Sequence, residues 1–379
     1  MKKRVFLDYA SATPVDPRVW DAMLPYFSAN FSNPSSPYYS GKVAREAVEN
    51  ARGQVAQSVG AEPNEVIFTS GGTEGNNIAI LGVARALQNE RKHILTCKTE
   101  HQSVLQPCYY LERQGWNLSY LPLDLDGVVD SDTKQVFFDE FSLCSVMLVN
   151  NEVGIIQPIA EISRKVKKKK ALMHTDACQA LGHIPINVNL LGVDLLTLNS
   201  GKIYGPKGAG ALYIRQGTQL SSCTYGGKQE LGIRPGTENV PAIVGFGVAC
   251  SLAVLEMEEE HKRFKIFQNS LLSVLLKVPG VFLNSARKKS VPNIINISVA
   301  DIEPEALVMF LNAAGIEVSS SSACTQSLGA SHVLLALGHD QSRAQSSIRI
   351  SLGRMTTQEE IDYVIQILLA TVEKLRTLK

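Results

Sequence analysis

The sequence has no excess of either charge: 37 basic against 36 acidic side chains leave a formal net charge of +1. That removes the electrostatic case for nucleic acid or a membrane surface as the main partner. It also has no cysteines at C-x-x-C spacing. The seven present, at positions 97, 108, 144, 178, 223, 250 and 324, are scattered and odd in number, which argues against a disulfide framework and a structural zinc site. Most are expected to be small buried hydrophobes. No apolar run approaches the roughly 18 residues of a membrane span. The longest, Ile243 to Leu255, holds two glycines, a cysteine and a serine and reads as a buried helix. The basic start, Met1-Lys2-Lys3-Arg4, is followed by Asp8 rather than by a signal-peptide apolar core, so a cytoplasmic protein is expected. Internal repeats and low-complexity segments are lacking as well.

What is there is ordinary globular material, 45% hydrophobic and 19% charged. With 379 residues the chain exceeds the size at which a single core keeps growing, about 250–300 residues, so two domains are expected. The opening, Phe6 to Pro14, is too polar and broken for a core element and reads as an extended arm. Val19 to Phe27 and Lys42 to Val59 read as helices, the second from apolar residues at helical spacing. From Val66 strands and helices alternate. Strands are expected at Val66–Phe68, His93–Thr96, Leu118–Leu121, Ser145–Val149, Leu172–Thr175 and Asp194–Leu198. Helices are expected at Gly75–Gln88, Ser103–Gln114 and Ile159–Lys168. This alternation predicts an α/β domain with a mostly parallel sheet. A long helix from Leu252 to Leu276 leads into a smaller α+β domain. The division expected is a large domain over 15–254 and a small one from 1–14 and 255–379. The basic run Arg164 to Lys170 falls at a helix end, where the dipole favours cations.

In such sheets ligands bind beyond the carboxyl ends of the strands. After the first strand comes Thr69-Ser70-Gly71-Gly72-Thr73-Glu74-Gly75, which suits a phosphate seat at a helix start or a plain turn capped by Ser70 or Thr73. After the second comes His101, placed to stack on a flat ring and handle protons or to serve the structure. Asn150-Asn151 suits a turn or a bond to a ring hydroxyl. Asp176, ending an apolar strand, is costly unless paired; it suits a helix cap or a pyridine nitrogen. Finally Lys202 emerges from a strand into the turn Gly201-Lys202-Ile203-Tyr204-Gly205-Pro206, where backbone geometry holds it. A lysine becomes a nucleophile when a dry pocket lets it shed its proton. Together these predict an α/β domain that binds pyridoxal phosphate through Lys202.

The stretches Leu7 to Ala10, Thr69 to Glu74, Lys98 to His101, Val149 to Gly154, His174 to Gln179, Lys202 to Gly208, Arg234 to Asn239, Ser321 to Thr325 and Ser347 to Arg354 resemble, in this order, the cysteine desulfurases of the NifS/IscS type. These are aminotransferase class V enzymes of the fold-type I pyridoxal phosphate class, and the resemblance covers nearly the whole chain. It implies that Lys202 carries the cofactor and abstracts the substrate α-proton, and that Asp176 holds the ring nitrogen. Asn151 and Gln179 would bind the ring hydroxyl, and His101 would stack on the ring. Gly72, Thr73, Asn199 and Ser200 would lie at the phosphate, joined by Thr237 from the partner subunit of a homodimer. Arg354 would clamp the carboxylate of L-cysteine, with help from Asn33. Cys324, on a small polar loop, would attack the substrate sulfur and keep it as a persulfide while alanine leaves.

The implied destinations of that sulfur are a scaffold or carrier protein, serving iron–sulfur cluster assembly or tRNA thiolation. No resident metal is implied, although Cys324 can ligate a transient iron–sulfur cluster. Other class V activities (selenocysteine lyase, aminotransferase) and a non-catalytic partner in a sulfur-transfer complex are the alternatives. One position departs from the family pattern: Gly201 stands where a histidine usually precedes the lysine, so one side-chain contact to the phosphate is lost.

Overall fold

A computed structural model describes residues 4–87, 91–130, 140–286, 288–320 and 330–377. The chain starts with β1 (Val5–Phe6), and here the expectation of a non-core arm fails: Val5 and Leu7 are fully buried. Alternation puts Val5 and Leu7 on one side of the extended backbone, a signal too short to register in a window of sequence. Two short helices, Pro17–Met23 and Pro25–Ser28, replace the single one expected, because Pro25 lacks the amide that would continue the first.

Seven strands form the large sheet: β2 (Val66–Thr69), β3 (His93–Thr96), β4 (Asn117–Tyr120), β5 (Leu143–Ser145), β6 (Leu172–Asp176), β7 (Leu195–Asn199) and β8 (Gly210–Ile214). Their order is β2-β8-β7-β6-β5-β3-β4. Every pairing is parallel except the two made by β8, which runs antiparallel to both neighbours. The alternation of side chains builds two cores, one on each face. Phe68, Leu95, Cys144, Leu196 and Tyr213 pack toward the helices Tyr39–Val59, Ile159–Lys168 and Val240–Leu275. Their strand neighbours Ile67, Ile94, Leu143, Leu195 and Leu212 pack toward Gly72–Ala86 and Gln102–Arg113. β8 was not expected, since its Gly-Pro-Lys-Gly approach reads as a loop. Glycine is needed there: a Cβ on Gly210 would lie 2.6 Å from the Gly71 backbone. The strand expected at Ser145–Val149 instead ends at Ser145, and Val149 makes only an isolated bridge to Ile156.

The apolar run from Ile243 and the helix expected from Leu252 are one helix of 36 residues, Val240–Leu275. By length and composition it suffices to cross a membrane. Half of its most apolar stretch is buried in the fold. Its first part, through Phe246, Ala249 and Ala253, belongs to the large core, and Phe264, Phe267 and Leu271 belong to another. This second core lies under an antiparallel sheet of β9 (Val281–Leu283), β10 (Ile294–Val299), β12 (Ser319–Ser320) and β13 (Ser347–Ser351), with β11 (Ile316–Glu317) pairing β1 in parallel. The helices Pro304–Ala313 and Gln358–Thr377 cover it.

Candidate active site

A cavity of about 280 Å³ opens at the carboxyl edge of the large sheet, and its wall comes from the ends of β2, β3, β6 and β7. At β2 the chain turns through Gly71, whose φ of 147° only glycine adopts readily. The helix Gly72–Ala86 begins there, so the amides of its first turn are directed at the cavity. Gly72 and Thr73 line the wall. A Cβ on Gly72 would fall 2.5 Å from Cys178 Sγ, so the missing side chain is what leaves room for a ligand against these amides.

Asp176 closes β6. Only 6% exposed, it is stabilised by two donors: Asn76 Nδ2 at 2.7 Å to Oδ2 and the Cys178 amide at 2.9 Å to Oδ1. Cys178 also lines the cavity, but burial, then the Asp176 charge, push its thiol well up and keep it protonated. His101 caps the helix Gln102–Arg113, with Nδ1 accepting from the Ser103 amide at 3.1 Å. Burial lowers its pKa; Asp176 pulls the other way, and Lys202 and His332 add to the lowering.

Asn199 ends β7 and caps the single turn Ser200–Lys202 through Oδ1, which accepts the Gly201 amide at 3.1 Å. Lys202 leaves that turn and donates from Nζ to the carbonyl of Ala10 at 2.7 Å, the same oxygen that Gln179 Nε2 reaches at 2.8 Å. The N-terminal arm thus forms one wall of the site. Behind the lysine, Tyr204 adopts a left-handed φ of 64°. Thr13 Oγ1 holds its amide and the Asp16 amide holds its carbonyl, which is how a strained residue persists.

Of the residues proposed from sequence, Gly72, Thr73, His101, Asn151, Asp176, Gln179, Asn199 and Lys202 line this one cavity. Asn150 is the turn-forming asparagine, its Oδ1 accepting the amides of Glu152 and Val153, and Asn151 faces the cavity. Cys324 lies outside the described residues. Ser331 and His332, shortly after it, dock beside the site: Ser331 Oγ donates to Glu152 Oε2 at 2.5 Å, and His332 Nε2 lies 3.0 Å from the Glu100 carbonyl.

Four expectations are not met by the wall. Arg354 is no clamp for a substrate. Its guanidinium is committed to Asp16 at 2.6 Å, Glu256 at 2.9 Å and Glu260 at 2.6 Å, and lies 4.2 Å over the Tyr204 ring. The arginine in the cavity is Arg349, which reaches Asp8 Oδ1 and Ser11 Oγ at 2.8 Å each and the Asn151 carbonyl at 2.9 Å. A sequence signal for it existed: Ile348 and Ile350 alternate into the second core, so Arg349 must point the other way on β13. Ser200 is buried beneath the turn, with its hydroxyl toward Gly205 rather than in the wall. Asn33 is exposed and spends its Oδ1 on the Ser35 amide. Thr237 is exposed on the surface of this chain.

A lysine, a buried carboxylate, a histidine and a helix start gathered at strand ends form the donor set of a pyridoxal phosphate site in a fold-type I enzyme. The chain belongs to the aminotransferase class-V family, whose model matches residues 5–364. It is 46% identical to the cysteine desulfurase IscS of Dictyoglomus turgidum, over 100% of this chain and 97% of that protein. It is 45% identical to a cysteine desulfurase of Homo sapiens, over 98% of this chain and 82% of that one. A solved NifS-like protein superposes with a TM-score of 0.92 at 37% identity, covering 99% of this chain and all of that one.

Proposed function

We propose that the cavity is the active site of a pyridoxal phosphate-dependent cysteine desulfurase that converts L-cysteine to L-alanine and retains the sulfur as a persulfide on Cys324. The observation that carries this reading is the convergence of Lys202, Asp176 and His101 on one wall with Arg349, in a chain so similar to cysteine desulfurases. The residues fit the cofactor. The side-chain-free start at Gly72 suits a phosphate, and the paired, buried carboxylate of Asp176 suits a protonated ring nitrogen. Asn151, Gln179 and Asn199 line the same cavity; the first two would take the ring hydroxyl, and Asn199 would join the phosphate. Bound there, the cofactor supplies an electron sink for charge developing at the substrate Cα.

The chain's own groups do the rest. The Arg349 fork orients the substrate carboxylate. Lys202 Nζ takes the α-proton, and His101, kept neutral by burial, passes protons at the cavity wall. The Cys324 thiolate attacks the cysteine sulfur; an S–S bond forms, the C–S bond breaks, and its electron pair stays with carbon. Protonation of that carbon, with return of the α-proton from Lys202 to Cα, completes alanine and leaves Cys324 as the persulfide, so atoms and electrons balance without an added oxidant. The sulfur then passes to an acceptor protein, for iron–sulfur cluster assembly or tRNA thiolation. A homodimer suits the exposed position of Thr237, which would reach the phosphate seat of a second copy. The change of core along Val240–Leu275 favours domains over 15–254 and over 1–14 with 255–379. The six described cysteines are unbonded, which suits a reducing compartment such as the cytoplasm.

Incubation with L-cysteine tests this: alanine should accumulate, and mass spectrometry should find one extra sulfur on Cys324. A Cys324→Ala protein that released alanine at the full rate would overturn the reading, as would a purified protein that stays colourless with added pyridoxal phosphate.

A further inference from the structure

Two residues that line the cavity have no part in the chemistry above. Asn76, fully buried on the helix Gly72–Ala86, places Nδ2 2.7 Å from Asp176 Oδ2 and 2.8 Å from Ser103 Oγ. An amide nitrogen has two hydrogens, and both are used. The orientation is forced, because turning the amide over would set Oδ1 against the carboxylate. Oδ1 is left buried without a partner, a cost that the opposite orientation would not reduce. The Ser103 hydroxyl accepts from Asn76, so its own hydrogen goes elsewhere, and His101 Nδ1 lies 2.7 Å away. The Ser103 amide donates to the same nitrogen. Two donors converging on Nδ1 leave no place for a proton there, and the neutral ring must carry it on Nε2.

We propose that Asn76 and Ser103 are positioning residues that link Asp176 to His101 and hold the imidazole as its Nε2–H tautomer, with the protonated nitrogen presented to the cavity. The proposal rests on the reading of His101 as a proton carrier, but its geometry is that of the protein alone. The chain of bonds runs from the carboxylate that would face the ring nitrogen to the histidine that would stack over the ring. The two groups are thereby oriented together rather than separately. The titratable groups acting on His101 are Asp176, Lys202 and His332. Donors at Nδ1 work with burial to favour the neutral ring.

The test uses the full-length protein as purified, with nitrogen-15 in its histidines and His101 assigned through His101→Gln. The wild type should show Nδ1 unprotonated and Nε2 protonated. Ser103→Ala keeps the backbone donor but loses the hydroxyl, and should shift the tautomer ratio about fivefold toward Nδ1–H, the size of one ordinary hydrogen bond. It should also raise the pH at which His101 titrates by roughly half a unit. Ser103→Thr should restore both. Asn76→Ala should act in the same direction, and the double variant should do little more than the larger single change, since both residues serve one chain of bonds. A wild-type His101 protonated on Nδ1, or a folded Ser103→Ala protein with unchanged tautomer and titration, overturns the proposal. Turnover separates it from the functional reading. If the tautomer shifts while kcat and its pH profile stay fixed, the relay stands and His101 is not the proton carrier. If His101→Gln abolishes turnover and Ser103→Ala leaves the ring unchanged, the functional reading survives and the relay does not.

Discussion

Arg349 and Arg354 lie five residues apart; the first lines the cavity and the second is held by three carboxylates, and two substitutions can separate the duties proposed for them. Arg354→Ala removes the cation shared by Asp16, Glu256 and Glu260. Asp16 keeps Arg18 at 2.7 Å, but Glu260, 7% exposed, loses its arginine. Stripping one partner from a buried ion pair costs about 3–5 kcal/mol, so Tm should fall by roughly 5–10 °C. Arg349→Lys retains a cation for Asp8, so Tm should barely change, but the planar fork is lost. A substrate carboxylate held by one donor instead of two should cost about 3 kcal/mol, which is roughly a hundredfold in kcat/KM for L-cysteine, mostly through KM. Thermal unfolding of both variants, alongside steady-state alanine release, gives the four numbers needed. The reasoning fails if Arg354→Ala keeps its Tm and raises KM, or if Arg349→Lys has wild-type kcat/KM.

Gly72→Ala should weaken pyridoxal phosphate binding by about tenfold, the cost of overpacking against Cys178. Equilibrium dialysis should show part of that loss recovered in Gly72→Ala/Cys178→Ala, and no recovery would place the obstruction elsewhere. Gly201→His should be accommodated, because a Cβ there meets Lys207 Cγ and Asn199 Oδ1 only at 3.5 and 3.6 Å. It should tighten cofactor retention about fivefold, and an unchanged dissociation constant would show that the family's histidine contributes nothing here. Stability should fall in acid in two stages. Burial lowers the pKa of His174 and of His183 to about 4, so the unfolded chain binds the extra protons. Their contribution is complete above about pH 6.5 and lost as the pH falls through about 4. Asp16, held below the usual carboxylate range chiefly by its bond to Arg18 and then by Arg354, adds a loss that begins only below about pH 4. Urea midpoints measured from pH 8 to pH 3 should trace both stages, and a flat profile between pH 7 and pH 4 would contradict the first.

Much of this protein was legible before any coordinates. Short apolar strands with turn residues after them are local patterns, so the alternation from Val66, the helix Ile159–Lys168 and the strand His93–Thr96 could be read directly. The parallel-sheet rule then pointed at the residues following each strand, and eight of those proposed line one cavity. What failed was non-local. β8 is a strand because β2 and β7 need a neighbour between them. The arm around Leu7 is core because β11 and β13 lie across it, more than 300 residues away.

Sequence by itself determined the fold class, the lysine turn and the chemistry of each candidate side chain, since these follow from residue type, spacing and backbone propensity. Only the tertiary structure decided which groups share a cavity and which are already taken. Arg354 sits in a motif that invites a binding role, but three carboxylates from distant positions neutralise it. Arg349, Asn76 and Ser103 gain their places from the register of β13 and from the packing of two helices against the sheet. A hydrogen bond needs its partner within about 3 Å, and that distance is set by how the elements pack, which no local stretch of sequence contains.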